Sequence, residues 1–261
     1  MHKLIALLSI TIILSACSNE KMEKKGFQIQ EIVEDEKGNK ILGLKLDSLS
    51  FETRPRNVLI TAHQNHRLTP IFKVNIHKKT KQPFTGSNAF HRDWNTSYDA
   101  ENNWHHNFMP GFSALYGYKM VNVSHYDTET FTQNSFFDSP VLIRTVYYPA
   151  FSKDTLNGEP IRRSYYMVSA YNEDTNKDGF INAKDLRRFY HFDLYGQVQG
   201  KLIPENYSVM NSEYDRVNDF MYVFAKEDEN KNGQMEYEEP TTIFWIDLKD
   251  PNQVGKQFDP S

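Results

Sequence analysis

The sequence predicts an all-β protein, and three observations lead to this prediction. Aromatic residues, which favour strands, are abundant: 18 of the 261 residues are Phe and 15 are Tyr. From Phe27 onward, apolar and polar residues alternate with a period of two. Strand-like segments also occur in pairs around polar loops, and the later pairs recur at roughly the spacing of a propeller blade. We therefore expect a series of antiparallel hairpins.

The start of the chain has the pattern of an export signal. Lys3 supplies a positive charge, residues 4–14 are almost wholly apolar, and Leu14-Ser15-Ala16-Cys17 has the small residues of a cleavage site. The segment resembles the lipobox of bacterial lipoproteins, which implies a signal peptide at 1–16 and acylation of Cys17. An ordinary signal peptide or a short transmembrane helix is the alternative, although the apolar run is too short to span a bilayer comfortably.

Residues 17–26 are predicted to be the lipidated cysteine and a polar, flexible tether. Several acyl chains on Cys17 would hold the protein firmly on membrane lipid. Ser18 stands where inner-membrane lipoproteins of enterobacteria have Asp, so the resemblance implies a bacterial envelope protein of the outer membrane. Cys17 is the only cysteine, so an internal disulfide cannot form. The net charge of −4 and the lack of a large basic cluster argue against nucleic acid as a partner.

Residues 27–261 are long enough to form a single β-rich domain with a sizeable core. A hairpin is expected at 27–47, around a polar turn. Four strand–loop–strand units follow it. We place these units at 57–76, 118–148, 164–194 and 220–248, with an insertion between the first two.

The loops of the last two units share an unusual pattern. In Asp174–Asp185, oxygen-bearing side chains alternate before Gly179, which permits a sharp turn. A second copy in the same order runs over Asp228–Glu239. Both resemble EF-hand-type calcium loops, and the first also resembles a dockerin repeat. The resemblance implies two Ca²⁺ sites, held by Asp174, Asn176, Asp178, the Phe180 carbonyl, Asn182 and Asp185, and by Asp228, Asn230, Asn232, the Gln234 carbonyl, Glu236 and Glu239.

The segments that flank both loops are rich in Tyr and Val rather than in helix formers. We therefore expect EF-like loops inserted in β-hairpins, each hairpin independent of the other, and not a helix-pair sensor. Without metal, the carboxylates of Asp174, Asp178 and Asp185 repel one another across a tight turn. Calcium is therefore expected to stabilise the fold directly.

A short motif bears on the architecture. Phe192-Asp193-Leu194-Tyr195-Gly196, followed by Lys201-Leu202-Ile203-Pro204, resembles the blades of TolB-type and other WD40-like propellers. The resemblance covers about residues 118–250. It implies an irregular β-propeller-like array of four or five small sheets. A β-sandwich is the alternative, because the repeats are few and irregular.

The insertion at 86–108 carries most of the remaining chemistry. Trp94 and Trp104 lie there among Asn and Gly, together with His91, Asp93, His105 and His106. Exposed aromatic rings beside amide and hydroxyl groups suit stacking against sugars, so these residues form a candidate glycan-binding loop. The alternative is that the tryptophans fill the core.

A zinc site is a further alternative for this half of the chain. His63-x-x-His66, His91, His105, His106 and His125 supply imidazoles, but no zinc motif accompanies them.

We expect a lipid-anchored, calcium-stabilised module that binds or assembles with a glycan or an envelope protein, and is not an enzyme. One alternative is an envelope polysaccharide hydrolase or lyase with its site around Asp93, His91, His105 and His106. The other is a TolB-like periplasmic scaffold. Neither a Gly-x-Ser-x-Gly motif nor a Gly-rich phosphate loop is present.

Overall fold

The computed structural model describes residues 26–28, 51–77, 79–85, 88–91, 109–151 and 153–260. Within these ranges all regular elements are β-strands and their pairing is antiparallel, so the all-β prediction is confirmed. The strands are β1 (Phe27–Gln28), β2 (Thr53–Pro55), β3 (Leu59–Ile60), β4 (His66–Ile76), β5 (Pro83–Thr85), β6 (Asn88–His91), β7 (Phe112–Asp127), β8 (Thr132–Ser135), β9 (Leu142–Pro149), β10 (Thr155–Leu156), β11 (Glu159–Pro160), β12 (Tyr165–Tyr171), β13 (Phe180–Ile181), β14 (Arg188–Asp193), β15 (Val198–Lys201), β16 (Tyr207–Asp215), β17 (Phe220–Glu227), β18 (Thr241–Asp247) and β19 (Val254–Phe258). Across the same ranges, we find no helix with the length and apolarity needed to cross a bilayer.

The larger sheet has 11 strands, in the order β15-β14-β12-β9-β7-β4-β2, with β3, β5, β6 and β8 attached along β4 and β7. Its centre is the 16-residue strand β7, which pairs with β4 on one side and β9 on the other. Almost every residue of β9 and β12 is buried, which is typical of strands covered on both faces.

The smaller sheet is a four-stranded meander, β16-β17-β18-β19. It packs on one face of the larger sheet through an apolar cluster that includes Met167 and Phe189 from the larger sheet and Val223 and Ile246 from the smaller one. A second cluster, with Leu115, Val168 and Phe192, covers the opposite face of the larger sheet. Because burial of one such side chain contributes about 1.5–3 kcal/mol, these two clusters hold the domain together.

A buried ion pair joins the two sheets. Arg163, just before β12, donates to both carboxylate oxygens of Asp219, at 2.9 and 2.7 Å, and the two side chains are only 3% and 1% exposed. Arg163 also donates to the carbonyl groups of Pro110 and Leu248. The Tyr214 hydroxyl donates to Asp219 at 3.0 Å. Both carboxylate oxygens of Asp219 and four of the five N–H groups of Arg163 are therefore engaged, which offsets the cost of burying the pair.

Candidate metal centre

The two acidic loops lie in hairpins. The first acidic loop (Asp174–Asp185) connects β12 to β14, and the second acidic loop (Asp228–Glu239) connects β17 to β18. The strands on either side of each loop pair with each other directly. The prediction that strands rather than helices flank both loops is confirmed.

In the first acidic loop, side-chain oxygens accept hydrogen bonds from the backbone that follows them. The Asp174 carboxylate accepts from the amides of Asp178 and Gly179, at 3.0 and 2.8 Å. Asp185, at the other end of the loop, accepts from the amides of Thr175 and Asn182, at 2.9 and 2.8 Å. The backbone winds around the two carboxylates, as the Asx-turn chemistry of this sequence favours. Two further bonds have the same form: Asn176 Oδ1 accepts from the Asp178 amide and Asp178 Oδ1 from the Phe180 amide, each at 3.0 Å.

The second acidic loop repeats five of these six bonds at equivalent positions. Among the described residues, the bond from the Thr175 amide to Asp185 has no counterpart, because the Glu229 amide donates to the Glu227 carbonyl instead. Asp228 accepts from the amides of Asn232 and Gly233, each at 3.0 Å, and Glu239 accepts from the Glu236 amide at 2.9 Å. The equivalents of the remaining two bonds are also present: Asn230 Oδ1 accepts from the Asn232 amide and Asn232 Oδ1 from the Gln234 amide, at 2.9 and 2.8 Å.

The backbone turns agree as well. Lys177 and Gly179 have positive φ values of 58° and 85°, and Lys231 and Gly233 have values of 56° and 72°. Non-glycine residues seldom adopt this left-handed conformation. Its occurrence at the same two positions of both loops shows that the loops share one backbone conformation.

The last carboxylate of each loop is buried. Asp185 is 0% exposed and Glu239 is 8% exposed. Burial raises the pKa of Asp185 to about 6, and burial also raises the pKa of Glu239. Among the residues described, Glu239 Oε1 has no hydrogen-bond partner. Leaving a buried acceptor unsatisfied costs about 1–3 kcal/mol, and a cation at this oxygen would remove that cost.

The chemical type of the predicted ligand atoms in both loops suits calcium. All the predicted side-chain donors are carboxylate or amide oxygens, which hard cations such as Ca²⁺ prefer. Two amide groups bond carboxylates within the predicted ligand sets: Asn230 Nδ2 donates to Glu236 at 2.8 Å, and Asn176 Nδ2 donates to Asp178 Oδ2 at 3.4 Å. Over the described part of the chain, no group of three or more His, Cys, Asp or Glu side chains has the arrangement of a metal cluster.

The two acidic loops contact each other. The hydroxyl of Thr175 donates to the Gly233 carbonyl at 2.6 Å, and the same hydroxyl accepts from the Leu186 amide at 2.8 Å. A Cβ atom on Gly233 would lie 1.9 Å from the Thr175 carbonyl oxygen, so only glycine fits there. The expectation of two independent hairpins does not account for this contact, because it joins the loops into one unit.

The first residues described in the domain also meet the first acidic loop. Phe27 and Gln28 pair with Ile181 and Phe180, and Phe27 is 1% exposed. A Cβ atom on Gly26 would lie 1.9 Å from the Ile181 carbonyl oxygen, so the close approach requires glycine. The predicted tether therefore ends against this loop.

The other candidate residues are only partly described. His91 ends β6 and is paired in register with Ala114. The remaining candidates, Cys17, Asp93, Trp94, Trp104, His105 and His106, lie outside the described residues.

Two histidines of the zinc alternative do come together. His66 Nδ1 and His125 Nε2 are 2.9 Å apart and share a hydrogen bond. His63 Nε2 instead bonds the Arg163 carbonyl at 2.7 Å. Burial lowers the pKa of both His66 and His125. The pair is therefore a neutral, hydrogen-bonded element of the core.

Comparison with known proteins adds no family to this picture. The chain matches no protein-family model and no curated protein sequence. The candidate site therefore rests on the geometry of the two acidic loops.

Proposed function

We propose that the two acidic loops bind two Ca²⁺ ions and that this protein is a lipid-anchored, calcium-stabilised module of the bacterial envelope. The observation that carries the proposal is a set of five side-chain-to-backbone hydrogen bonds that the two loops share at equivalent positions. The first ion would be held by Asp174, Asn176, Asp178, the Phe180 carbonyl, Asn182 and Asp185. The second would be held by Asp228, Asn230, Asn232, the Gln234 carbonyl, Glu236 and Glu239.

The physical role of calcium follows from burial and charge. Asp185 and Glu239 are buried carboxylates whose raised pKa values reflect the cost of ionisation. A bound cation would compensate that charge and satisfy Glu239 Oε1. Since the unfolded chain has no such site, the binding free energy would add to the stability of the fold. We expect affinities of about 10⁻⁴–10⁻³ M, as in extracellular calcium modules.

The calcium proposal is tested by thermal unfolding of the full chain in detergent micelles. Excess CaCl₂ should raise the Tm relative to excess EDTA, and MgCl₂ should raise it less, since Mg²⁺ demands a tighter octahedral site. Glu239→Gln should shrink the difference between calcium and EDTA. The matched control Glu229→Gln changes an exposed residue outside the predicted ligands and should leave it unchanged. Identical melting curves in calcium and EDTA would contradict the proposal.

The membrane anchor is proposed from residues 3–17 of the sequence, which lie outside the described residues. Cys17→Ser should abolish acylation, and the protein should then move from the detergent phase to the aqueous phase in a Triton X-114 partition. Ser15→Ala keeps a small residue in the cleavage motif and should leave the partition unchanged. A Cys17→Ser protein that stays in the detergent phase would refute the anchor.

For the module itself we propose binding or assembly rather than catalysis, with a glycan as the ligand of the 86–108 insertion. The support for this comes from the sequence of the insertion alone. Its residues Trp94, Trp104, His105 and His106 lie outside the described residues. A glycan array probed with the full chain, with and without EDTA, tests it. Binding to no glycan would remove this part of the proposal. Cleavage of an envelope polysaccharide that is lost in Asp93→Asn would instead favour the hydrolase or lyase alternative.

We propose that the sheets form a β-sandwich rather than a propeller-like array. Support comes from the pairing of β9 with both β7 and β12, which makes one continuous sheet where a propeller has separate blades. It also comes from the apolar cluster between this sheet and the four-stranded one. The TolB-like scaffold, which depends on the propeller, is correspondingly less favoured. A crystal structure with separate radial blades would reverse this choice.

A further inference from the structure

A cavity of about 450 Å³ lies between the two sheets, apart from both acidic loops. This volume falls within the range of small-molecule sites, about 300–1,000 Å³. Its walls contain both polar and apolar side chains. The polar lining includes Tyr116, Arg144, Thr145, Tyr147, Arg187 and Ser212, and the apolar lining includes Phe189, Val209, Met221 and Val223.

Arg144 reaches the cavity from an irregularity in β9. On one side Thr145 pairs with Ser169 while Ile143 pairs with Ala170, so Arg144 is skipped. On the other side the register also shifts between Thr145 and Ile143. Such β-bulges re-aim a side chain and are frequent next to functional sites. Arg144 is exposed, although both of its neighbours in sequence are buried.

Arg187 is fixed in place by the smaller sheet. Its Nε donates to the Val209 carbonyl at 2.5 Å and its Nη2 donates to the Met210 carbonyl. Burial, together with the nearby charge of Arg144, lowers the pKa of Arg187. Within the described part of the chain, neither Arg144 nor Arg187 forms an ion pair. Two positive charges therefore line one concave surface without a carboxylate from the described residues to offset them.

We propose that this cavity binds a small organic anion, whose carboxylate or phosphate group lies between Arg144 and Arg187 while its apolar part packs on Phe189, Met221 and Val223. A guanidinium group presents a planar fork of donors that matches both kinds of oxyanion. The anion would offset the repulsion between the two arginines. The Tyr147 and Ser212 hydroxyls, 3.5 Å apart, offer further polar contacts. This site is independent of the proposed calcium function.

The proposal is tested by isothermal titration calorimetry on the full chain in detergent, with benzoate, phenyl phosphate and the neutral isostere benzamide as probes. At least one of the two anions should bind saturably and at least tenfold more tightly than benzamide. The stronger of the two identifies the preferred oxyanion. Arg144→Gln should weaken that binding at least tenfold. Arg162→Gln removes an exposed arginine that does not line the cavity and should leave binding unchanged.

Arg144 is the principal variant because its side chain is exposed, whereas Arg187 bonds two backbone carbonyls and its loss would also disturb the packing of the two sheets. The Tm of each variant shows whether it is folded. Tyr147→Phe provides a second variant and should weaken anion binding without changing benzamide binding. Failure of both anions to bind, or an equal loss of binding in Arg144→Gln and Arg162→Gln, would overturn the proposal.

Discussion

The hydroxyl of Thr175 in the first acidic loop donates a 2.6 Å hydrogen bond to the carbonyl of Gly233 in the second, across 58 residues of sequence. The same hydroxyl accepts from the Leu186 amide, at the end of the first loop. The backbone position of one loop therefore depends on that of the other. Any ion that orders one loop should also favour the ordered form of its neighbour.

The Gly233 position tests this contact. In Gly233→Ala the new Cβ would lie 1.9 Å from the Thr175 carbonyl oxygen, and the residue would also carry the cost of its φ of +72°. Gly179→Ala is the matched control, because Gly179 has the same loop position and a φ of +85° but nothing within 4 Å. Urea unfolding should find Gly233→Ala less stable than Gly179→Ala by at least about 1 kcal/mol. Equal losses would mean that the contact between the loops has no energetic effect.

Asp174→Ala tests whether the two proposed calcium sites are coupled. The substitution removes the carboxylate that accepts from the Asp178 and Gly179 amides, so the first loop loses its organising acceptor. Through the Thr175–Gly233 bond, calcium affinity should fall at both loops, and more at the first. Calcium titration calorimetry measures both sites, and Asp138→Ala, at an exposed residue outside the loops, is the control. An unchanged second site would mean that the hairpins are independent after all.

The buried ion pair should be a major stabilising element. Arg163→Ala would leave the Asp219 carboxylate, 1% exposed, without its cation. Removing one partner of a buried pair costs about 3–5 kcal/mol, and urea unfolding at pH 7 measures this loss. Lys201→Ala breaks a pair with Glu205, whose side chain is 73% exposed, and should cost less than about 1 kcal/mol. Similar losses of unfolding free energy in the two variants would contradict a major stabilising role for the buried pair.

The His66–His125 pair predicts a pH dependence of stability. Burial lowers the pKa of both His66 and His125 in the folded state, and the nearby carboxylates of Asp127 and Asp193 oppose this only weakly. The positive charge of Arg67 lowers the pKa of His66 further. As the pH falls from 7.5 toward 6, the unfolded state takes up protons first. The folded state is therefore destabilised as these histidines titrate in the unfolded chain.

Comparison with His125→Asn isolates this effect from other titrating groups, such as Asp185. The stability of the wild type relative to His125→Asn, measured by urea unfolding, should decrease as the pH is lowered through this range. NMR titration of the imidazole resonances should give pKa values below 6.5 for both rings. A stability difference that grows as the pH falls would contradict the buried, neutral pair.

The features that the sequence predicted correctly are those with local signals. Runs of aromatic and β-branched residues marked β12 and β17, and the spacing of Asp174, Asn176 and Asp178 marked a tight oxygen-lined turn. The contact of that turn with Gly233, in contrast, depends on how two hairpins that are far apart in sequence pack together. Such packing has no local signal.

The same limit applies to sheet order and to the cavity. A hairpin pattern gives the partner of a strand along the chain, but it does not show that β9 also pairs with β12 through its other edge. The predicted hairpin at 27–47 likewise gave no sign that Phe27 would pair with Ile181. Arg144 and Arg187, 43 residues apart in sequence, meet only because a bulge and the second sheet bring them to one surface. No spacing rule connects such residues.

The central claim is that the two acidic loops bind two calcium ions as one unit, and calcium titration calorimetry of the full chain in detergent tests it most directly. The account predicts a stoichiometry of two Ca²⁺ per chain, reduced to a single weakened site in Glu239→Gln. A titration without heat up to about 10 mM calcium, well above the affinity range expected for extracellular sites, would contradict the claim.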